Sequence, residues 1–318
     1  MIMLNDQEKM LISTVAYYNE LDYPLTAFEI WKHLTVFEKN QENKSLGIEK
    51  IISILEDEKI KEFIQESKGF YFMKGRLKLI ETRLKKNKIS SLKIKKLRKI
   101  AYFLRFVPFV RMIAITGRLA MKSAERESDW DLFIILKNGR IWTGRTMVTL
   151  FLHLIGKRRY GKKIKDRACL NYFVSDESLK IDIENRPLEV NLFSASEYSF
   201  SIPLFGFKKY HKFQIKNSWI KDFKPNYSLT EIKDLKMISD NRFSKSIRKC
   251  GEKMLSFDFI ENLLRKVEKE KIAKNPKTHK QGSIIEAKDE MLVFLPEPQG
   301  REIYERYREK LAVLGIFF

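Results

Sequence analysis

The chain has 318 residues, of which 44% are hydrophobic, which is typical of a globular protein of two or three domains and excludes a disordered chain. Its 62 lysines and arginines against 41 acids give a formal net charge of +21, which favours polyanionic partners: nucleic acid, nucleotides or an anionic membrane. Two distant cysteines exclude a disulfide framework, and four scattered histidines argue against a zinc site.

The first 75 residues carry the pattern of three helices and a β-hairpin. Apolar residues share one helical face over 7–19, Thr26 and Glu29 form a predicted capping box, and 47–60 reads as a third helix. Two short strands at 60–64 and 69–73 follow. This order predicts a winged-helix-like domain over 1–75, a module that usually binds nucleic acid. The third helix carries four acids, so docking or dimerisation is an equal alternative.

A basic linker helix is predicted over 76–111. Nine lysines and arginines between Arg83 and Lys99 alternate with leucine and isoleucine, and Glu81 is the only acid. One interpretation is a solvated helix that bridges two domains. The other is a stripe that contacts the phosphate backbone of a nucleic acid, whose binding would weaken steeply with salt.

Beyond Pro108 the pattern changes to strands and helices in turn. Apolar runs predict strands over 110–116, 128–136 and 168–175, with helices over 119–125 and 141–155 and a basic loop over 157–167. We therefore expect an α+β fold with its core domain over 112–225. The remainder, 226–318, is predicted to be a helical C-terminal region, with long helices over 244–271 and 299–314.

Membrane insertion is not expected. The longest central apolar run, 147–155, is interrupted by Thr149 and His153 and is too short to cross a bilayer. Polar residues at 5–9 argue against a signal peptide. These features predict a protein of the cytoplasm without a membrane span.

The second strand of the core carries an Asp-x-Asp pattern. Because alternate residues of a strand share a face, Asp129 and Asp131 should point the same way, with Trp130 and Leu132 directed into the core. Two carboxylates about 7 Å apart along a strand can share two divalent ions. Asp129 and Asp131 are therefore the predicted metal ligands.

A glycine stands where the first strand passes into the next helix. Gly117 would let backbone amides approach a phosphate closely, and Ser128 directly precedes the paired acids. A strand, a glycine, a short helix and then Ser-Asp-x-Asp in an apolar strand is far more specific than Asp-x-Asp alone. The whole segment predicts a phosphate site beside a metal site.

This segment resembles the signature of the DNA polymerase β-like nucleotidyltransferase superfamily, and 112–225 resembles its domain. The chain as a whole resembles bacterial proteins that place a winged-helix-like segment before such a domain. The resemblance implies an NTP donor, with ATP expected, pyrophosphate as leaving group, and Mg²⁺ or Mn²⁺ held by Asp129 and Asp131. It also implies a third carboxylate on a later strand that helps to activate the acceptor hydroxyl.

Two positions depart from the family pattern. Arg118 follows Gly117 where the family usually has Ser or Gly, and an arginine there would either clamp a phosphate or fill its space. Asn171 occupies the expected position of the third acid, where its amide can ligate a metal but cannot accept a proton. Other candidates for the third acid are Asp166 and, more weakly, Asp182 and Glu189.

The basic loop 157–167 follows the second core helix. Within it Lys162 is a candidate ligand for the triphosphate, the loop as a whole is a candidate contact for nucleic acid, and Tyr160 is a candidate stacking partner for a base. On the preceding helix Arg145 is a further candidate for phosphate binding. The competing interpretation is a solvated loop and an ordinary surface arginine.

Two functions from different classes follow from these features. The first is an enzyme that transfers a nucleoside monophosphate from an NTP to a hydroxyl acceptor and releases pyrophosphate. The second is a catalytically inactive protein of the same fold that binds nucleic acid or regulates another molecule. A weaker third function is attachment to an anionic membrane surface through the basic helix.

Overall fold

A computed structural model describes residues 3–36, 45–184, 186–231 and 236–316 of the chain. It shows an α+β fold in which helices flank a mixed six-stranded sheet. In the described residues no helix is both long enough and apolar enough to cross a membrane.

The N-terminal segment has the predicted order of helices followed by a hairpin. Its elements are α1 (Asp6–Glu20), α2 (Ala27–Lys32), α3 (Ile48–Glu56), α4 (Glu58–Lys61), β1 (Ile64–Ser67) and β2 (Phe70–Met73). The capping box is present: the Thr26 side chain accepts from the Glu29 amide, and the Glu29 carboxylate accepts from the Thr26 amide. Tyr71 of β2 exchanges two backbone hydrogen bonds with Leu25, which fastens the hairpin to the helices. The winged-helix assignment stays a prediction.

The basic segment forms one helix, α5 (Leu79–Leu104), which is shorter than the predicted 76–111. Its buried residues Leu97, Ala101 and Leu104 pack on the sheet. The helix therefore belongs to the core of the fold along one side, and only its other side faces solvent.

The central sheet has the strand order β6-β3-β4-β5-β8-β7. Its strands are β3 (Val110–Ile115), β4 (Trp130–Leu136), β5 (Ala168–Ser175), β6 (Ile202–Phe205), β7 (Ile284–Ala287) and β8 (Met291–Leu295). The pair β4–β5 is parallel, and the other neighbouring pairs are antiparallel. The predicted strand over 168–175 has the same bounds as β5, whereas β4 begins at Trp130, two residues later than expected.

Two hydrophobic clusters cover the two faces of the sheet. One face carries α5, α7 (Ile141–Leu154), α12 (Asp258–Ala273) and the short α6 (Gly117–Ala120). The other carries the N-terminal helices with α8 (Leu188–Phe200), α9 (Phe207–Lys216), α10 (Ile220–Phe223) and α13 (Gly300–Val313). Because residues alternate along β4, Trp130 and Leu132 are buried in the first cluster and Phe133 in the second.

The C-terminal region differs from the helical region expected over 226–318. It contains α11 (Arg242–Met254), α12 and α13, but also β7 and β8, and β8 pairs with β5 of the core. The single helix expected over 244–271 is broken between Met254 and Asp258. The two strands are only four and five residues long and lie between helices, so their alternation is too short to stand out in the sequence. The sheet therefore extends beyond the predicted boundary at 225.

Candidate active site

The paired acids lie at the start of β4. Asp131 is the second residue of the strand, and Asp129 precedes its first residue. Carboxylate oxygens of Asp129 and Asp131 and the sulfur of Cys169 all lie within 4.8 Å of one another. The two acids thus converge on one point beside the sheet, as the spacing predicts, while Trp130 between them is fully buried on the opposite face.

A β-bulge shapes the neighbouring strand at this point. Asp131 pairs with Cys169, and Phe133 pairs with Tyr172. Over this stretch β5 therefore contains one more residue than β4. Cys169 and Asn171 share the Asp131 side of the sheet because they are two residues apart, and the extra residue places Tyr172 on that side as well, opposite Phe133. Bulges of this kind re-aim side chains and are frequent beside active sites.

Hydrogen bonds tie the cluster together. Asn171 Nδ2 donates to Asp131 Oδ1 at 2.8 Å, and Cys169 Sγ donates to Asn171 Oδ1 at 2.8 Å. The guanidinium of Arg159 donates to Asp129 Oδ2 at 2.5 Å and to Cys169 Sγ at 3.3 Å. Asn171 therefore lies beside the paired acids and donates a hydrogen bond to one of them; its assignment to the position of the third acid stays a prediction.

Burial and like charge shift the titration of this cluster. Desolvation, followed by the nearby Asp129 charge, raises the pKa of Asp131 to about 7, although Arg159 and Arg118 act in the opposite direction. Desolvation and the two acids raise the pKa of the Cys169 thiol to about 12. Two acids this close favour a bound cation, because a positive charge removes their mutual repulsion.

Gly117 stands against Asp131. Its φ is +62°, and a Cβ added there would lie 2.7 Å from Asp131 Oδ2. Real Cβ atoms do not approach other atoms so closely, and residues with side chains avoid this φ. The glycine predicted from the motif is therefore required by both the backbone turn and the adjacent carboxylate.

The cluster opens into a cavity of about 870 Å³. The cavity lies between the Asp129–Asp131 edge of the sheet, helix α8, the β7–β8 hairpin and the loop that precedes α13. A space of this size accommodates a nucleoside triphosphate and leaves room for a second molecule. The β7–β8 wall comes from the C-terminal region, so the cavity depends on residues beyond 225.

Glu197 projects from α8 into this cavity and was missed in the sequence. It has no hydrogen-bond or ion-pair partner among the described residues. Desolvation, followed by the charge of Asp131, raises the pKa of Glu197 to about 8. The signal in the sequence is weak: a single acid stands between Ser196 and Tyr198 in the largely apolar and aromatic stretch of α8.

Of the residues predicted to bind phosphate, some line the cavity and one does not. Arg118 and Ser128 line the cavity, and so does Arg145. Arg118 is exposed. Arg145 forms an ion pair with Glu268, and burial lowers its pKa to about 10. Lys162 is exposed and does not line the cavity.

The basic loop does reach the cavity, through other residues than Lys162. Arg158, Arg159, Tyr160 and Gly161 are the members that line it. Ser128 makes hydrogen bonds within the segment that precedes the paired acids. Its hydroxyl accepts a hydrogen bond from the Glu125 amide at 2.9 Å, and its carbonyl accepts one from Lys93 Nζ at 2.7 Å.

The other candidates for the third acid lie outside the cavity lining. Asp166 forms ion pairs with Lys93 at 2.8 Å and Lys96 at 2.6 Å, which hold its pKa below the usual range. Asp182 and Glu189 are not among the residues that line the cavity. Glu197, by contrast, lines the cavity and is close enough to Asp131 for the charge of that acid to raise its pKa.

The donor set fits a hard divalent cation. Asp129 and Asp131 offer carboxylate oxygens, which Mg²⁺ and Mn²⁺ prefer. Cys169 is a soft donor, but its thiol donates a hydrogen bond to Asn171 Oδ1 at 2.8 Å, and a protonated thiol is a poor ligand for these ions. The residues present therefore fit Mg²⁺ or Mn²⁺ better than zinc.

No protein-family model, curated protein or solved structure matches this chain.

Proposed function

We propose that this protein is a metal-dependent nucleotidyltransferase, which transfers a nucleoside monophosphate from an NTP, with ATP expected, to a hydroxyl acceptor. The observation that carries the proposal is the convergence of Asp129 and Asp131 beside Gly117, at the edge of a cavity large enough for both substrates. The resemblance of 112–225 to the polymerase β-like superfamily supports the same function.

In this proposal Asp129 and Asp131 hold Mg²⁺ or Mn²⁺. The bound ions supply positive charge that offsets the charge of the triphosphate and favours loss of the acceptor proton. Arg118 and Arg159 line the same cavity and would bind phosphate oxygens. Arg159 would exchange Asp129 for a phosphate, since both are anionic partners of its guanidinium.

Glu197 takes the role that Asn171 cannot perform. An unpartnered carboxyl group with a pKa of about 8 is ionised in a minor fraction at neutral pH and mostly ionised above pH 8, and its ionised form can accept a proton. The acceptor hydroxyl would give its proton to Glu197 as its oxygen bonds the α-phosphorus. The bond from that phosphorus to the bridging oxygen breaks, and the electron pair leaves with pyrophosphate.

The test uses NTPs labelled at the α- or the γ-phosphate, with Mg²⁺ and a panel of small-molecule, protein and RNA acceptors. The proposal predicts that the α-label moves to an acceptor and the γ-label leaves as pyrophosphate. Asp129→Asn should abolish both, whereas the exposed Asp222→Asn on α10 should retain both. Transfer of the γ-label instead, or equal release by both variants, would contradict the proposal.

The alternative is an inactive protein of the same fold that binds without catalysis. Two observations favour it: Asn171 stands in the position of the third acid, and Arg159 neutralises Asp129. An inactive protein would bind nucleotide equally well after Glu197→Gln and would release no pyrophosphate with any NTP. Retention of nucleotide binding with no turnover across the acceptor panel would therefore select this alternative.

A further inference from the structure

The solvent-facing side of α5 carries a continuous stripe. Its members, which we call the α5 outer face, are Lys85, Lys88, Leu92, Lys95, Lys99 and Tyr102, all of them exposed. At about 100° per residue these positions fall within an arc of roughly 100°. At about 1.5 Å per residue they extend over roughly 26 Å. The outer face is therefore one narrow, straight, basic surface.

The helix separates its cations according to whether they have acidic partners. On the inner side Arg83, Lys86 and Lys93 are in ion pairs with acids of other segments. Lys96, which is exposed at the edge of the outer face, is paired with Asp166. On the outer face Lys85, Lys88, Lys95 and Lys99 have no ion pair within the described parts of the chain. The inner cations thus hold the fold together, whereas the outer ones leave their charge to solvent or to a ligand.

Aromatic side chains continue the stripe at its C-terminal end. Tyr102 and Phe103 are 45% and 55% exposed, and their rings lie 5.4 Å apart. Phe106 contacts Tyr102, and it also contacts Phe243 of α11, which is 66% exposed. Exposed rings in mutual contact form a surface on which unpaired bases can stack.

We infer that the α5 outer face, with the aromatic cluster of Tyr102, Phe103 and Phe243, binds single-stranded nucleic acid. The unpaired lysines match the phosphates of a strand, and the rings match its bases. A duplex keeps its bases stacked on each other and would use only the lysines. The combination of a lysine stripe along the helix with exposed rings at its C-terminal end favours a single strand.

This inference is independent of the proposed transferase, because no residue of α5 lines the cavity. Substitutions on the outer face therefore leave the Asp129–Asp131 site in place. Conversely, Asp129→Asn should leave nucleic-acid binding unchanged. Failure of one proposal can thus be recognised without reference to the other.

The experiment measures fluorescence anisotropy of labelled 20-nucleotide single strands of RNA and DNA, and of the matching duplex, with the full chain at several salt concentrations. In Lys88→Gln/Lys95→Gln/Lys99→Gln, loss of three phosphate contacts should lower the salt slope by about 2 and weaken binding on the order of 100-fold at 0.1 M salt. Tyr102→Ala/Phe103→Ala should weaken binding to the single strand about tenfold or more with an unchanged salt slope.

The matched control is Lys212→Gln/Lys216→Gln/Lys221→Gln, which removes three exposed lysines from α9 and α10. It should bind the single strand like the natural chain. Equal losses in the two triple variants would show that net charge alone acts, and this would overturn the inference. So would absence of binding at low salt, tighter binding of the duplex, or attachment to phosphatidylserine vesicles in flotation without binding of the strands.

Discussion

Gly117 lies directly against Asp131, and a side chain at position 117 could enter only if the Asp131 carboxylate moved. The carboxylate oxygen Oδ2 lies 2.7 Å from the point where a Cβ would stand. The backbone turn after β3 and the Asp131 carboxylate of β4 are thus in close contact. The glycine and the acid of the sequence motif are 14 positions apart in the chain and form one structural unit.

Replacement of Gly117 by alanine should cost more than its backbone conformation explains. Gly139 provides the comparison, because its φ is +67° and nothing lies within 4 Å of its added Cβ. We expect Gly139→Ala to lower the free energy of unfolding by about 1 kcal/mol through the left-handed φ alone. Gly117→Ala should cost about 2 to 3 kcal/mol, since it adds the collision with Asp131. Equal costs in urea denaturation would show that Asp131 moves aside freely.

In the absence of metal, Asp131 should lower the free energy of unfolding as the pH rises. Its pKa is raised from 3.8 to about 7 in the folded state, so between these values the folded chain retains a proton that the unfolded chain loses. This contribution is fully present below pH about 4 and is lost by pH about 7. Asp131→Asn should therefore match the natural chain near pH 4.

At pH 8 in the presence of a chelator, the free energy of unfolding of Asp131→Asn should be about 2 kcal/mol higher than that of the natural chain. This value is smaller than the full pKa shift would give, because Asp131 is partly accessible to solvent. Urea denaturation at both pH values in EDTA measures the difference. An Asp131→Asn variant that is less stable than the natural chain at pH 8 would show that the carboxylate is charged and well compensated.

Glu197→Gln should reduce turnover without loss of metal binding. Removal of the proton acceptor is expected to lower the rate of pyrophosphate release by about 100-fold or more. The natural enzyme should gain rate as Glu197 loses its proton near pH 8, and the variant should lack this rise. Glu189→Gln, on the same helix but outside the cavity lining, is the control. A Glu197→Gln enzyme with the natural pH profile would exclude this carboxylate as the base.

Glu261 of α12 should be important for stability, because it caps α7 from a distant part of the chain. Its carboxylate accepts from the backbone amides of Trp142 and Thr143, both at 2.9 Å, and from the Thr143 hydroxyl. Glu261→Ala leaves these donors buried and should cost about 3 kcal/mol. Glu270→Ala, which removes an exposed ion pair with Lys274, should cost less than about 1 kcal/mol. Thermal denaturation that shows similar losses would contradict this role.

Local sequence signals predicted much of the fold around the site. The Thr26–Glu29 box, the strand over 168–175 and the alternation of Trp130 with the two acids each depend on residues within a few positions of one another. Such patterns can be recognised because helix and strand periods are fixed by backbone geometry. Gly117 was also predictable, since a strand-to-helix turn there demands a left-handed φ.

Features set by contacts between distant segments were not predictable. The bulge in β5 that places Tyr172 opposite Phe133 is a matter of register between two strands, and Glu197 reaches the cavity only because α8 packs on that face of the sheet. The β7–β8 hairpin is too short to show a pattern of its own. Lys162 and Arg159 are both basic loop residues, and only the path of the loop decides that Arg159 lines the cavity.

The most direct test of the account is Mn²⁺ binding followed by electron paramagnetic resonance, because it requires no knowledge of the acceptor. The full chain is titrated with Mn²⁺ with and without ATP, beside Asp129→Asn, Asp131→Asn and the control Asp222→Asn. We predict that the natural chain and the control bind Mn²⁺ and that ATP tightens the binding. Each of the two site variants should lose at least tenfold in affinity. Mn²⁺ binding that is equal in all four proteins, or absent from the natural chain with ATP present, would contradict the account.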